Sequence, residues 1–304
     1  MRDFYYLTKR NILIFWRDRA AVFFSILSML IVLGLMVIFL GNMNSDSLVG
    51  ILTQFGGARD SVQDEANAAY LVQMWTLAGI LVVNAVTVTL TVMGNMVADE
   101  AAKKLAVFYV SPVKRIRVTL SYIASTFLVG FCLCCLTLFA GELYMLFSGY
   151  PLFSAAKLCK LFGLIALNVL VYAAISYLLA LLVHSQSAWS GMLTIVGTLV
   201  GFVGAIYLPM DMLPEAVKNI LKTLPVLHGA AGFREIATQD AIIKCFAGLP
   251  EEAAAAYKEA MGITVLWGEK PMTLTMQILI LLIYGILAVG AAAFLGKHRR
   301  TGDR

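Results

Sequence analysis

Six apolar runs, each long enough to cross a bilayer, constrain this chain more than any other feature. They cover residues 20–40, 70–97, 118–147, 158–183, 188–208 and 274–296. A helix needs about 20 apolar residues to traverse roughly 30 Å of hydrocarbon. Hydrophobic residues make up 61% of the chain and charged residues 13%, against roughly a quarter charged in soluble domains. So much apolar surface has to face lipid. Backbone groups in lipid must bond internally, and period-two alternation is absent, so the runs are helices and not strands of a barrel. The predicted fold is all-α: a polytopic membrane protein with six transmembrane helices, an N-terminal amphipathic helix, and a long external loop between helices 5 and 6. The second and third runs exceed the required length, which predicts tilt or interfacial ends. Residues 184–187 alone separate the fourth and fifth, a tight hairpin. The first run is full length and follows nineteen mixed residues, so it reads as a retained span and not as a cleaved signal.

Cations orient the spans. Six crossings put both termini on one side. That side carries Arg2, Lys9, Arg10, Arg17 and Arg19, then Lys103, Lys104, Lys114, Arg115 and Arg117, then Lys297, Arg299, Arg300 and Arg304. The two short loops opposite hold only Arg59, Lys157 and Lys160. Positive loops stay inside, which predicts a multi-pass protein of the cytoplasmic membrane with both termini cytoplasmic. The chain reads as one membrane domain over 1–304, with a connecting helix at 1–19, a cytoplasmic segment at 98–117 and the external loop at 209–272. In residues 2–19 apolar, aromatic and basic side chains mix, which suits the lipid headgroups.

Polar residues inside the spans are the candidate functional groups. Gln73, Asn84 and Asn95 recur every eleven residues, nearly three helical turns, and Thr87 and Thr91 join the same face. Such a stripe either bonds a neighbouring helix, at about 0.6 kcal/mol per bond, or lines a water-filled path. Span five carries Ser190, Thr194 and Thr198 beside Gly197 and Gly201; this glycine spacing favours close helix packing. Glu142, near the outer end of span three, reads as a carboxylate reaching for the interface. Cys159 and Cys245 are a candidate outer disulfide; Cys132, Cys134 and Cys135 lie within a span and read as packing.

Enzyme chemistry is missing. There is no G-x-x-x-x-G-K-[ST], no H-E-x-x-H and no G-x-S-x-G, and His184, His228 and His298 lie far apart. No catalytic residue, metal site, bound cofactor or nucleic-acid partner is expected. Between spans two and three, Asp99-Glu100 leads and Lys103-Lys104 follows, the order a helix dipole prefers. Ser111-Pro112 then stops any helix. The segment is either a well-made loop or a lever that docks into a soluble partner.

Four motifs in order give the chain a family likeness. Lys9-Arg10-Asn11 and Trp16-Arg17-Asp18-Arg19 lead into Val22-Phe23-Phe24. Asp99-Glu100 precedes Phe108-Tyr109-Val110-Ser111-Pro112-Val113. Gly201-Phe202 runs on to Ala205-Ile206-Tyr207-Leu208-Pro209 and Leu213-Pro214. Leu224-Pro225-Val226-Leu227-His228 precedes Phe233-Arg234-Glu235. Together with six spans and a long loop before the last, they resemble permeases of the ATP-binding-cassette type-2 exporter family over nearly the whole length.

The resemblance implies two permease copies, identical or different, paired with two cytoplasmic ATPase subunits that use ATP and Mg. It implies that spans two and five line the substrate path, through Gln73, Asn84, Thr87, Thr91, Asn95, Thr194 and Thr198. It also implies that the N-terminal helix and the 99–112 segment touch the ATPase, through Asp99, Glu100, Lys104, Phe108, Tyr109, Ser111 and Pro112. Residues 212–235 would form short helices capping the outer end. The expected activity is export of an amphipathic drug, antibiotic, peptide or lipid-like molecule. A secondary transporter or channel needing no ATPase, and a membrane scaffold or immunity protein, are the alternatives.

Overall fold

The structure is a computed structural model and describes residues 2–35, 48–52, 60–105, 113–268 and 270–298. Its main helices are α1 (Arg2–Arg17), α2 (Arg19–Leu35), α3 (Ser61–Ala101), α4 (Arg115–Phe147), α5 (Ala155–Leu182), α6 (Gln186–Val203), α7 (Glu215–Leu221), α8 (Pro225–Cys245), α9 (Glu251–Ala260) and α10 (Leu274–His298). A 3-10 turn, Met210–Met212, precedes α7. A two-stranded ribbon, β1 (Leu266–Trp267) with β2 (Lys270–Pro271), precedes α10. Among the described residues, five helices are long and apolar enough to cross a membrane: α3, α4, α5, α6 and α10. Local signals set several starts. The Asp60 carboxylate accepts from the Val62 and Gln63 N–H groups, and Ser154 and Ser185 cap α5 and α6 from Lys157 and Ala188.

α3 is the axis of the bundle. Its 41 residues reach about 60 Å, so it projects well beyond the hydrocarbon. α4, α5, α6 and α8 all pack on it, and α10 packs on α5 and α8. One end of the bundle carries the starts of α3, α5 and α10 and is called here the loop end. The other carries α1, the end of α3 and the start of α4, and is called the basic end. α1 lies against α4 with its polar side inward: Thr8 and Asn11 are buried, while Tyr5, Tyr6, Leu13 and Trp16 are exposed. Phe15 joins Val88, Val92, Val129 and Leu133 in an apolar cluster that seats α1 and α2 on α3 and α4.

The 209–272 segment is folded into the loop end. α8 is buried between α3, α5 and α10, and its second turn passes the middle of the neighbouring spans, since Gly229 lies against Asn168 and Val82. The Tyr284 hydroxyl, well inside α10, donates to the Thr223 carbonyl. The chain after α6 therefore dips back to mid-bundle before α8 returns to the loop end.

A buried arginine fixes this dip. Arg234 of α8 is 0% exposed. It donates to the Ala205 carbonyl at 2.7 Å and the Gly262 carbonyl at 3.2 Å, and stacks 4.4 Å from the Trp75 ring centroid. Trp75 in turn donates to the Met261 carbonyl at 2.8 Å. Ala205 and Gly262 are the left-handed residues, φ 49° and 62°, that end α6 and α9. A helix C-terminus carries about half a negative charge. Two of them, with the ring face, offset the guanidinium without a carboxylate.

Candidate functional site

The α3 stripe divides into two kinds of position. Asn84 is buried and its amide donates to Thr137 of α4 at 2.7 Å. This side chain serves helix contact. Between Val86 and Asp99 α3 is buried except along Thr87, Thr91, Asn95 and Ala98, which follow one another at steps of four, four and three. Those steps trace a single face. The Thr87 and Thr91 hydroxyls donate to the carbonyls four residues back, at 2.9 and 2.8 Å, so their methyl and oxygen edges line this face without an unmet bond. The Asn95 amide nitrogen is buried without a partner among the described residues. Gln73 stands apart, towards the loop end, beside a small cavity shared with Thr76, Gly141 and Tyr144, and its buried oxygen has no partner among the described residues.

α6 adds a second polar edge. Thr194 and Thr198 are exposed, each hydroxyl bonded to the carbonyl four residues back. The opposite face of α6 packs on α3, where Trp189 lies over Gly94. A Cβ at Gly94 would sit 2.9 Å from the indole nitrogen, so only glycine permits this approach. The glycine pair predicted to pack between helices is split: Gly201 is filled by Tyr207 of the same chain, and Gly197 meets no atom within 4 Å.

At the basic end Asp99 is the centre of a tight node. Its carboxylate, 5% exposed, receives Arg10 at 2.7 Å and the Tyr122 hydroxyl at 2.7 Å, with Lys104 at 3.7 Å. Burial pulls the Arg10 guanidinium down, and its bonds with Asp99 and Tyr122 more than offset this, leaving it above its ordinary value. Arg117 joins Asp3 at 2.6 Å, so α1 is pinned to α3 and α4 by two ion pairs. Asp99 and Glu100 close α3; the acidic pair does not open a separate helix. Acidic groups at a helix C-terminus oppose the dipole, and Arg10 with Lys104 supplies the compensation. Glu100 is half-buried and Lys104 exposed. Phe108, Tyr109, Ser111 and Pro112 lie outside the described residues.

Two further expectations change. No disulfide joins Cys159, which is exposed, to Cys245, which is buried. Glu142 accepts the Phe153 N–H at 3.2 Å and thereby ties the end of α4 to the turn before α5. Among the described residues no cluster of histidine, cysteine or acidic side chains is arranged to hold a metal. Sequence reasoning missed the partners of Asp99 and Arg234, which lie 89 and about 30 residues away along the chain.

A search of curated proteins finds no match. Residues 58–294 match the family described as ABC-2 family transporter protein. The match covers α3 through most of α10, the whole framework that carries the polar stripe, so the chain is a multi-pass membrane protein belonging to the ABC-2 transporter family.

Proposed function

We propose that this chain is the permease subunit of an ATP-driven exporter that moves an amphipathic molecule out of the cell. The observation that carries the reading is the face Thr87–Thr91–Asn95, the one polar, partly exposed strip in the half of α3 towards the basic end. Polar side chains at that depth avoid lipid and mark a path. Gln73 adds a separate polar group towards the loop end, and Thr194 and Thr198 form a second polar edge on the face of α6 turned away from α3. The path is completed by a second permease copy, and α2 provides the sixth crossing. Both termini lie in the cytoplasm in this reading, which the cations at the basic end support.

ATP and Mg are used by a separate cytoplasmic ATPase. Asp99, Glu100, Lys104, Phe108, Tyr109, Ser111 and Pro112 form the segment that receives its motion, and the Asp99–Arg10–Tyr122 node passes it to α3, α4 and α1 together. The test is transport in reconstituted vesicles with the partner ATPase. Cysteines at 87, 91 and 95 should react with a water-soluble thiol reagent, and one at buried Thr89 should not. Equal protection of all four would refute the path, and export that runs without ATP would refute the drive.

A further inference from the structure

The ribbon that leads into α10 holds an indole in the open. β1 and β2 pair antiparallel, Leu266 with Pro271 and Trp267 with Lys270. Gly268, at φ 63°, takes the left-handed conformation that a tight reversal between the strands needs. Cross-strand partners share a face and chain neighbours alternate, so Trp267 and Lys270 stand together on one face. Leu266, on the other face, is half-buried, whereas Trp267 is 59% exposed and Lys270 is exposed. The Trp267 face is therefore the outer one.

The root of the ribbon is fixed. Val265 is buried in an apolar cluster with Met210, Leu221 and Leu227, and its carbonyl accepts the Met272 N–H at 2.9 Å. The indole is thus held out by a packed support and does not sit on a loose loop.

The height of the ribbon is set by α10. Met276 and Leu279, in its first turns, are exposed, and apolar side chains on the outside of a span face lipid. Lys270 is the first charged residue met on leaving the span in this direction. The edge of the hydrocarbon therefore falls between Lys270 and the first turn of α10. The chain from Lys270 to Leu274 spans at most about 14 Å, and the headgroup layer is roughly 5–8 Å deep. That layer suits an indole, whose ring lies among glycerol and acyl groups while its N–H donates to lipid oxygens. Lys270, on the same face, offers an ammonium to lipid phosphate. Glu269, between Gly268 and Lys270 in sequence, lies outside the described residues.

We propose that the Trp267–Lys270 face is a lipid anchor, seated in the phospholipid headgroup layer at the loop end and holding the entry to α10 at the membrane surface. The anchor concerns the membrane and not the cargo, so it stands or falls separately from the export reading.

Fluorescence of the full chain in phosphatidylcholine nanodiscs tests it. Trp16→Phe leaves Trp75 and Trp189, both 0% exposed, beside Trp267. The signal that a further Trp267→Phe removes belongs to Trp267. A nitroxide on the lipid headgroup should quench this signal at least several-fold more than the same nitroxide deep on the acyl chain. Acrylamide should quench it less than half as strongly as a tryptophan analogue free in solution. Lys270→Glu repels phosphate, so it should weaken headgroup quenching and raise acrylamide quenching while leaving the melting temperature unchanged. Quenching by acrylamide as strong as that of the free analogue, without headgroup quenching, would put the ribbon in water and overturn the anchor. Stronger quenching from the acyl chain would overturn the headgroup assignment. Protection from all three quenchers would mean that protein, such as a second copy of the chain, covers the indole, and would overturn the anchor as well.

Discussion

Each end of α3 receives an arginine from a distant part of the chain, and the two are held differently. At the basic end Arg10 is 32% exposed and meets a carboxylate, Asp99, with Tyr122 and Lys104 around it. At the loop end Arg234 is fully enclosed and meets only carbonyls and a ring. Water can replace part of what Arg10 loses when its pair opens, so that joint separates at modest cost. Nothing replaces the carbonyls around Arg234, so that joint is fixed. The difference assigns motion to the basic end, the one proposed to meet an ATPase, and rigidity to the end that shapes the dip.

The strongest way to break this comparison is Arg234→Leu. It orphans two buried carbonyls at roughly 1–3 kcal/mol each and removes the ring contact, for a total of about 2–5 kcal/mol. Thermal melting in detergent should show a large fall. A change within error would mean that the loop end is not held by this side chain. Asp99→Ala is expected to cost less, about 1–2 kcal/mol, because Arg10 reaches solvent. Arg10→Met in the Asp99→Ala background should add little, and fully additive losses in the double-mutant cycle would deny the pairing. The smallest effect is Thr137→Val, which removes the acceptor of the Asn84 amide. It should cost about 0.6 kcal/mol. A loss as large as that of Arg234→Leu would make the helix contact, and not the end joints, the main support of α3.

The long helices were legible in the sequence because lipid imposes one rule on every residue of a span. The reading of 70–97 caught the core of α3, and Asp60, Ser154 and Ser185 mark starts by their side-chain chemistry. α8 was not legible. Its residues 225–245 mix alanine, glycine, histidine and arginine, a composition that suits a surface cap as well as a buried helix. What buries it is long-range: Asn168, Gln277 and Val82 against its glycines, and carbonyls from either side of it in sequence for Arg234. The polar stripe was visible as a period, but the period could not tell that Asn84 is spent on Thr137 while Thr87 and Thr91 stay at an accessible edge. The Asp99 node likewise needs Arg10, on a helix whose polar side turns inward against the usual expectation for an amphipathic segment.

The two carbonyls that clasp Arg234 come from residue 205, made before it, and residue 262, made after it. On the ribosome the guanidinium therefore emerges with half of its seat missing. It can be dehydrated fully only after the turn at Gly262 has been translated and folded back. The loop end thus closes late, just before the last helix is threaded, and a chain cut short before residue 262 would leave that charge stranded at the membrane.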